Sequence, residues 1–129
     1  MKLASIDVGL KRIGVAICLA SNIVTPQNAI LRKNRNQAAR DVNAFLKEWE
    51  IDKLIVGFPS SSEDTQNRIK HFVGLLELQI PFEFQEENMS SIEAEEMMKG
   101  EIKYKRDGRV DSLAAKIILE RFLAKKPSL

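Results

Sequence analysis

The first twenty residues contain two short apolar runs joined by a polar, glycine-containing connection, and this pattern constrains the fold more than any other. The runs, residues 3–6 and 13–20, flank a stretch that holds Asp7, Lys11 and Arg12. Such a pattern predicts a β-hairpin. Asp7 would stand at the end of the first strand, where a carboxylate is costly unless something pairs with it. The partner could be a metal ion, the two neighbouring cations or the amides of the turn.

The rest of the chain alternates between strand and helix patterns. Apolar periodicity predicts strands at residues 23–31, 53–57 and 81–85, and helices at residues 36–49, around 69–76, 90–99 and 110–125. Pro26 favours an edge position for the third strand. The order predicts one α/β domain over residues 1–129, with a mixed five-stranded sheet flanked by helices. Three strands would be antiparallel and two parallel, and the first strand would be central.

Cysteine and histidine usage limits the chemistry that the chain can perform. Cys18 and His71 are the single examples of their types, so an intrachain disulfide and a soft-ligand metal site are excluded. A bound metal must take oxygen ligands, which indicates Mg²⁺ or Mn²⁺. His71 lies off the apolar stripe of its helix, which favours a surface position. No apolar stretch reaches the roughly 20 residues of a membrane span, and the N-terminus is not that of a signal peptide.

The net charge of +2 does not by itself indicate a nucleic-acid-binding protein, but the cations are clustered. The simple interpretation of these clusters is that they are solvated surface charges that keep the protein soluble. The clusters would instead form a track for phosphates if they shared a face with Asp7. They are Lys11 and Arg12; Arg32, Lys33, Arg35 and Arg40; and Lys99, Lys103, Lys105, Arg106 and Arg109.

Three acidic residues, Asp7, Glu87 and Asp111, occupy positions that packing alone explains poorly. Glu87 follows the fifth strand, two strand spacings or roughly 10 Å from the first. On a helix, Asp111 would project in the same direction as Ala115 and Phe122, toward the sheet. The structural alternatives are an Asx-turn for Asp7, a helix-dipole acid for Glu87 and an N-cap for Asp111. Convergent carboxylates repel one another, and divalent cations that remove this penalty can promote phosphoryl displacement.

Four segments of the chain resemble, in the same order, motifs of the YqgF/RuvX family of Holliday-junction resolvases. Residues 7–16 (DVGLKRIGVA) resemble the opening motif, and residues 56–59 (VGFP) resemble a strand-and-loop motif. Residues 86–95 (EENMSSIEAE) are similar to the Asp-Glu-Arg-Leu-Thr-Thr segment with its following helix, and residues 108–115 (GRVDSLAA) to the C-terminal Asp-containing motif. The resemblance implies a ribonuclease-H-like fold.

The resemblance also implies a bacterial cytoplasmic nuclease that acts with Mg²⁺ or Mn²⁺. Family members are linked to 5′-end maturation of pre-16S ribosomal RNA, besides Holliday-junction resolution. Asp7, Glu87 and Asp111 fall on the acidic positions of the family, which implies that they are catalytic and hold the metal. We expect the nucleic-acid backbone to be bound by cationic side chains near these acids: Lys11, Arg12, Lys105, Arg106 and Arg109.

The chain departs from the family pattern at two positions. Asn88 replaces the Arg of the Asp-Glu-Arg segment, which puts the strength of substrate binding or cleavage in doubt. Leu10 replaces a small residue and alters the turn. The loop that contains Ser60 and Ser62 has no predicted role beyond a phosphate contact.

Two other functional classes compete with a nuclease. A nucleic-acid-binding ribosome-assembly factor with weak or lost activity is favoured slightly by Asn88. A phosphotransferase or ATPase is disfavoured, because an Asp-x-Gly hairpin in those folds needs a second domain that 129 residues cannot supply. The sequence does not separate RNA from DNA substrates. Two-fold resolution of a junction would require a homodimer rather than a monomer.

Overall fold

The N-terminal hairpin forms as predicted and lies at the centre of a five-stranded sheet. The computed structural model describes residues 1–60, 62–86 and 109–125, and residues 109–111 by their backbone alone. The elements in chain order are β1 (Leu3–Val8), β2 (Arg12–Cys18), β3 (Thr25–Leu31), α1 (Arg35–Glu48), β4 (Lys53–Phe58), α2 (Glu63–Leu76), β5 (Phe82–Glu86) and α3 (Arg109–Lys125). The predicted helix at residues 90–99 lies outside the described residues.

The sheet has the predicted mixed topology, with strand order β3-β2-β1-β4-β5. β2 pairs antiparallel with both β1 and β3, whereas β4 runs parallel to β1 and β5 parallel to β4. Pro26 lies on β3, which is an edge strand as predicted, because proline cannot donate a hydrogen bond to a second neighbour. β3 begins at Thr25 rather than at Ile23, since Ile23 still belongs to a turn in which its N–H donates to the Ala20 carbonyl (3.3 Å).

Helices cover both faces of the sheet, and each face has its own apolar core. α1 and α2 pack on one face (the α1/α2 face), where Val42 and Phe72 are buried against Ile6 of β1. α3 packs on the other (the α3 face), where Ile118 is buried against Leu3. Because side chains alternate along a strand, every second residue of β1 faces α3. No helix in the described part of the chain is long and apolar enough to cross a membrane.

The starts of α1 and α2 are set by polar caps. Asn34 accepts from the Gln37 N–H (2.7 Å), and the Gln37 side chain accepts from the Asn34 N–H, which completes a capping box. Ser62 caps α2 by accepting from the Thr65 N–H (3.3 Å). Trp49 is the C-cap of α1 and packs against the core.

Candidate active site at the end of the central strand

Asp7 is the penultimate residue of β1, the central strand, and is half-buried. The alternation of β1 assigns its side chain to the α3 face, together with those of Leu3 and Ser5. Ser5 confirms this assignment, because its buried hydroxyl donates to the Ala115 carbonyl of α3 over 2.6 Å. Asp7 therefore lies one strand repeat beyond a direct contact between β1 and α3.

Glycines flank Asp7 on both neighbouring strands. Gly14 of β2 is its direct partner in the antiparallel ladder. On the other side, Ile6 pairs with Val56 of β4, so Gly57 is the next residue of β4 on the α3 face. Neither of these two neighbours has a side chain beside the carboxylate of Asp7. The sequence shows both glycines, but only the strand register shows that they flank Asp7.

α3 crosses the sheet so that its first turn lies near the C-terminal half of β1. The Ser112 hydroxyl donates to the Gln27 carbonyl on β3, and Ala115 contacts Ser5. At the other end of the helix, the Lys125 ammonium donates to Gln85 Oε1 on β5 (3.2 Å). The helix thus spans from the antiparallel edge of the sheet to the parallel edge.

The predicted buried face of the last helix is confirmed. Ala115, Ile118 and Phe122 are each at most 1% exposed, whereas Glu120 is exposed. Asp111 belongs to α3 and precedes Ala115 by four residues, or roughly 6 Å along the helix. Its backbone therefore lies about one helical turn from the contact with β1. Its side chain, like that of Arg109, lies outside the described part of the structure.

Glu87 also lies outside the described residues, as do Asn88, Lys105 and Arg106. The described part of β5 ends at Glu86, the residue before Glu87, and lies two strands from β1 as predicted. Among the described side chains, no group of three His, Cys, Asp or Glu could hold a metal ion. Asp7 is thus the one predicted catalytic residue whose side chain can be located.

The donor chemistry near Asp7 suits a hard cation. The carboxylate of Asp7 is an oxygen donor of the type that Mg²⁺ and Mn²⁺ prefer. The cysteine and the histidine of the chain lie elsewhere in the fold. Cys18 is buried opposite Leu3, at the far end of β1, and burial raises the pKa of its thiol. His71 is exposed on α2, as predicted.

Hydrogen bonds hold the turn that follows Asp7 in place. The Gly9 N–H donates to the Arg12 carbonyl (3.0 Å). Arg32, just after β3, braces the same turn twice: its N–H donates to the Lys11 carbonyl (2.9 Å) and its Nη1 to the Gly9 carbonyl (2.8 Å). Lys11 is exposed and Arg12 is half-buried. Arg12 precedes Gly14, the ladder partner of Asp7, by two residues on β2.

Gly9→Ala should destabilise the protein by about 1–3 kcal/mol, because overpacking in a fixed turn costs that much. A Cβ atom at Gly9 would lie 2.5 Å from the Arg12 carbonyl oxygen, which is a backbone atom held by the hairpin. Gly74→Ala is the matched control. A Cβ at Gly74, inside α2, would have no heavy atom within 4 Å, so this variant should gain about 0.5–1 kcal/mol of helix stability.

Urea unfolding of both variants measures these opposite shifts. Equal unfolding midpoints for the two variants would show that the Gly9 turn is not tightly held.

The serine-containing loop after β4 has structural roles that the sequence did not indicate. Ser62 is the cap of α2, and the Ser60 N–H donates to Glu86 Oε1 on β5 (3.2 Å). The loop is therefore tied to the strand that precedes Glu87. Its predicted phosphate contact stays a prediction.

The fold is that of ribonuclease-H-like resolvases. A fowlpox virus resolvase in complex with Holliday junction DNA superposes with a TM-score of 0.60 at 17% identity, covering 97% of this chain and 100% of the resolvase. The RuvC structure from Thermus thermophilus gives a TM-score of 0.51 at 10% identity, with coverages of 96% and 95%. These likenesses establish the fold.

The chain belongs to the RuvX family of nucleases. The family model, described as Holliday junction resolvase, matches residues 1–125. A protein of Sulfurovum sp. (strain NBC37-1) is 66% identical over 96% of this chain and 99% of its own length, and one of Sulfurimonas denitrificans is 52% identical over 98% and 99%. A Helicobacter pylori protein is 49% identical over 90% of each chain. All three carry the name "Putative pre-16S rRNA nuclease".

Proposed function

We propose that this chain is a divalent-metal-dependent nuclease of the cytoplasm that matures the 5′ end of pre-16S ribosomal RNA. The observation that carries the proposal is the half-buried Asp7, which ends the central strand between two glycines and beside the first turn of α3. The names of the relatives supply the substrate. The fold that the chain shares with resolvases makes branched DNA the second substrate to examine.

In this proposal Asp7, Glu87 and Asp111 hold the metal. Gln85 of β5 lies on the α3 face, where its side-chain oxygen accepts a hydrogen bond from the Lys125 ammonium. Since strand side chains alternate, we expect Glu87 to share that face with Asp7. Asp111, one helical turn before the contact between Ala115 and β1, would approach from α3. Divalent ions held there would supply positive charge to a phosphodiester in its transition state.

The other proposed roles concern binding. Lys11 and Arg12, in the braced turn after Asp7, would neutralise backbone phosphates near the scissile bond, and so would Lys105, Arg106 and Arg109. Each such contact releases counterions, so binding should weaken as salt rises. Asn88 offers an amide where the family has a cation, and we expect it to lower affinity rather than to remove the metal ligands.

Cleavage of a substrate panel tests the proposal. The panel contains a pre-16S 5′-end RNA, an unrelated single-stranded RNA and a DNA four-way junction, each with Mg²⁺, with Mn²⁺ and with EDTA. We expect cleavage of the pre-16S RNA with either metal and none with EDTA, because the bound ion would supply the positive charge that stabilises the transition state. If the protein cleaves only the four-way junction, and does so only with a metal, its substrate is branched DNA rather than pre-16S RNA.

Binding without cleavage under every metal condition would contradict the nuclease and favour the alternative, a ribosome-assembly factor that has kept the scaffold. Mass spectrometry of the products identifies the cleaved bond, and gel filtration with light scattering on the same sample separates monomer from homodimer.

A further inference from the structure

Three arginines from different parts of the chain line one open pocket on the α1/α2 face. Arg32 follows β3, Arg35 begins α1 and Arg68 lies on α2. The pocket has a volume of about 360 Å³, and we call it the arginine pocket. Its remaining lining residues are Asn67, His71 and Phe72. The sequence placed Arg32 and Arg35 in one basic cluster, but nothing in it singled out Arg68, which only the packing of α2 brings to them.

Among the residues that the structure describes, no carboxylate lines the arginine pocket. None of the ion pairs found among the described residues involves Arg32, Arg35 or Arg68. Burial lowers the pKa of the Arg32 guanidinium, and the charges of Arg35 and Arg68 lower it further. Like charges that line one pocket repel one another, and a bound anion would reduce this repulsion.

Two of the arginines are already oriented. The Arg32 guanidinium donates to the Gly9 carbonyl (2.8 Å) and lies 5.6 Å from the ring centroid of the buried Phe72. Arg68 Nη2 donates to the Thr65 hydroxyl (3.1 Å), one turn earlier in α2. Guanidinium groups have several donors in a fixed plane, so each retains N–H groups for a ligand. A preoriented donor loses less entropy on binding than a free one.

The arginine pocket continues toward the candidate active site. Arg32 and Arg68 also line a smaller cavity of about 100 Å³, whose wall includes Gly9 and Leu10 of the turn between β1 and β2. Gly9 follows Asp7 by two residues, or roughly 7 Å of extended chain. Asp7 is assigned to the α3 face, so the pocket and Asp7 lie on opposite faces of the sheet near the C-terminal end of β1.

We propose that the arginine pocket binds a backbone phosphate of the nucleic-acid substrate, close to but distinct from the phosphate cleaved at Asp7. Arginine suits this role because its planar guanidinium can donate two parallel hydrogen bonds to two phosphate oxygens. The substrate strand would cross the turn after β1, with one phosphate at Asp7 and another in the pocket. The inference rests on the proposed function for the identity of the polymer. The charge and shape of the pocket do not depend on whether the protein cleaves that polymer.

The test measures binding in EDTA, where no cleavage can occur. The probe is a fluorescein-labelled single-stranded RNA from the pre-16S 5′ end, and the protein is the full chain. We expect the double variant Arg35→Gln/Arg68→Gln to raise Kd at least about tenfold, because it removes charge-assisted hydrogen bonds. The slope of log K against log salt should become shallower by about 0.7, the value for one phosphate on a single strand.

Lys47→Gln is the matched control, since it removes one exposed positive charge from α1 roughly 18 Å along the helix from Arg35. Its salt slope should equal that of the wild type. The double variant should also unfold at the same temperature as the wild type or a higher one, because it relieves the repulsion on Arg32. A merely structural role for Arg35 and Arg68 would instead lower the unfolding temperature.

The outcomes separate this inference from the proposed function. If wild type and double variant have the same Kd and salt slope, the phosphate site is wrong, whether or not the wild type cleaves RNA. If RNA binding depends on Arg35 and Arg68 as expected but the wild type never cleaves RNA, the nuclease proposal is wrong and the phosphate site is supported. Binding of a nucleoside triphosphate is measured in parallel. If the double variant loses this binding while its RNA binding is unchanged, the proposal is wrong.

Discussion

Asp7→Asn is expected to reduce metal-dependent cleavage by about 10³-fold or more. The substitution keeps the shape of the side chain and removes its negative charge, and transition-state stabilisation by a bound metal amounts to several kcal/mol. Since each 1.36 kcal/mol corresponds to a tenfold change in rate, losing that contribution accounts for the expected effect. Initial rates on the cleaved member of the substrate panel, with saturating Mg²⁺, provide the measurement.

Asp52→Asn is the control for the loss of one carboxylate. Asp52 lies at the opposite end of β1, where its Oδ2 accepts from the Lys2 N–H (2.7 Å), and asparagine keeps an acceptor oxygen there. This variant should cleave at the wild-type rate. A folded Asp7→Asn protein, judged by its circular dichroism spectrum, that retained wild-type cleavage would contradict the assignment of Asp7 as catalytic.

Phe122→Ala is expected to destabilise the protein by about 3–5 kcal/mol, the usual cost of removing a buried phenylalanine. Phe122 is 1% exposed in the core under α3, and its ring also lies 5.2 Å from the ammonium of Lys53 on β4. For a chain of this size the loss corresponds to a fall of roughly 10–20 °C in Tm. Thermal unfolding followed by circular dichroism measures it.

Phe82→Ala is the matched substitution on the sheet edge. Phe82 is 43% exposed on β5, so its truncation removes less buried apolar surface and should cost about 1–2 kcal/mol. Equal losses in the two variants would show that α3 contributes little to the core. Such a result would also weaken the case that α3 holds Asp111 against β1.

Local patterns in the sequence predict most of the fold. The alternation and turn chemistry of the first twenty residues place β1 and β2 correctly, Pro26 identifies the edge strand, and the periodicity of the last helix identifies Ala115 and Phe122 as buried. These signals are local because a strand or helix repeats its pattern over neighbouring residues. The motifs that resemble the RuvX family indicate the same fold, and the family model covers residues 1–125.

Relations between distant segments could not be predicted in the same way. That Gly14 and Gly57 flank Asp7 depends on the register of two strand pairs, one of them parallel. That Arg68 joins Arg32 depends on how α2 packs against the end of β3. Neither relation leaves a periodic signal in the sequence. The convergence of Glu87 and Asp111 on Asp7 is of the same kind and stays a prediction.

The position of β1 has a consequence for the order in which the protein is made. β1 precedes the other described elements in the chain, its parallel neighbour β4 ends at Phe58, and α3, which packs on the face of the sheet that Asp7 shares, begins only at Arg109. A nascent chain therefore carries Asp7 long before it carries Asp111. If the three carboxylates act together as proposed, no incomplete translation product can cut RNA, and cleavage begins only after the C-terminal helix has been synthesised and has docked.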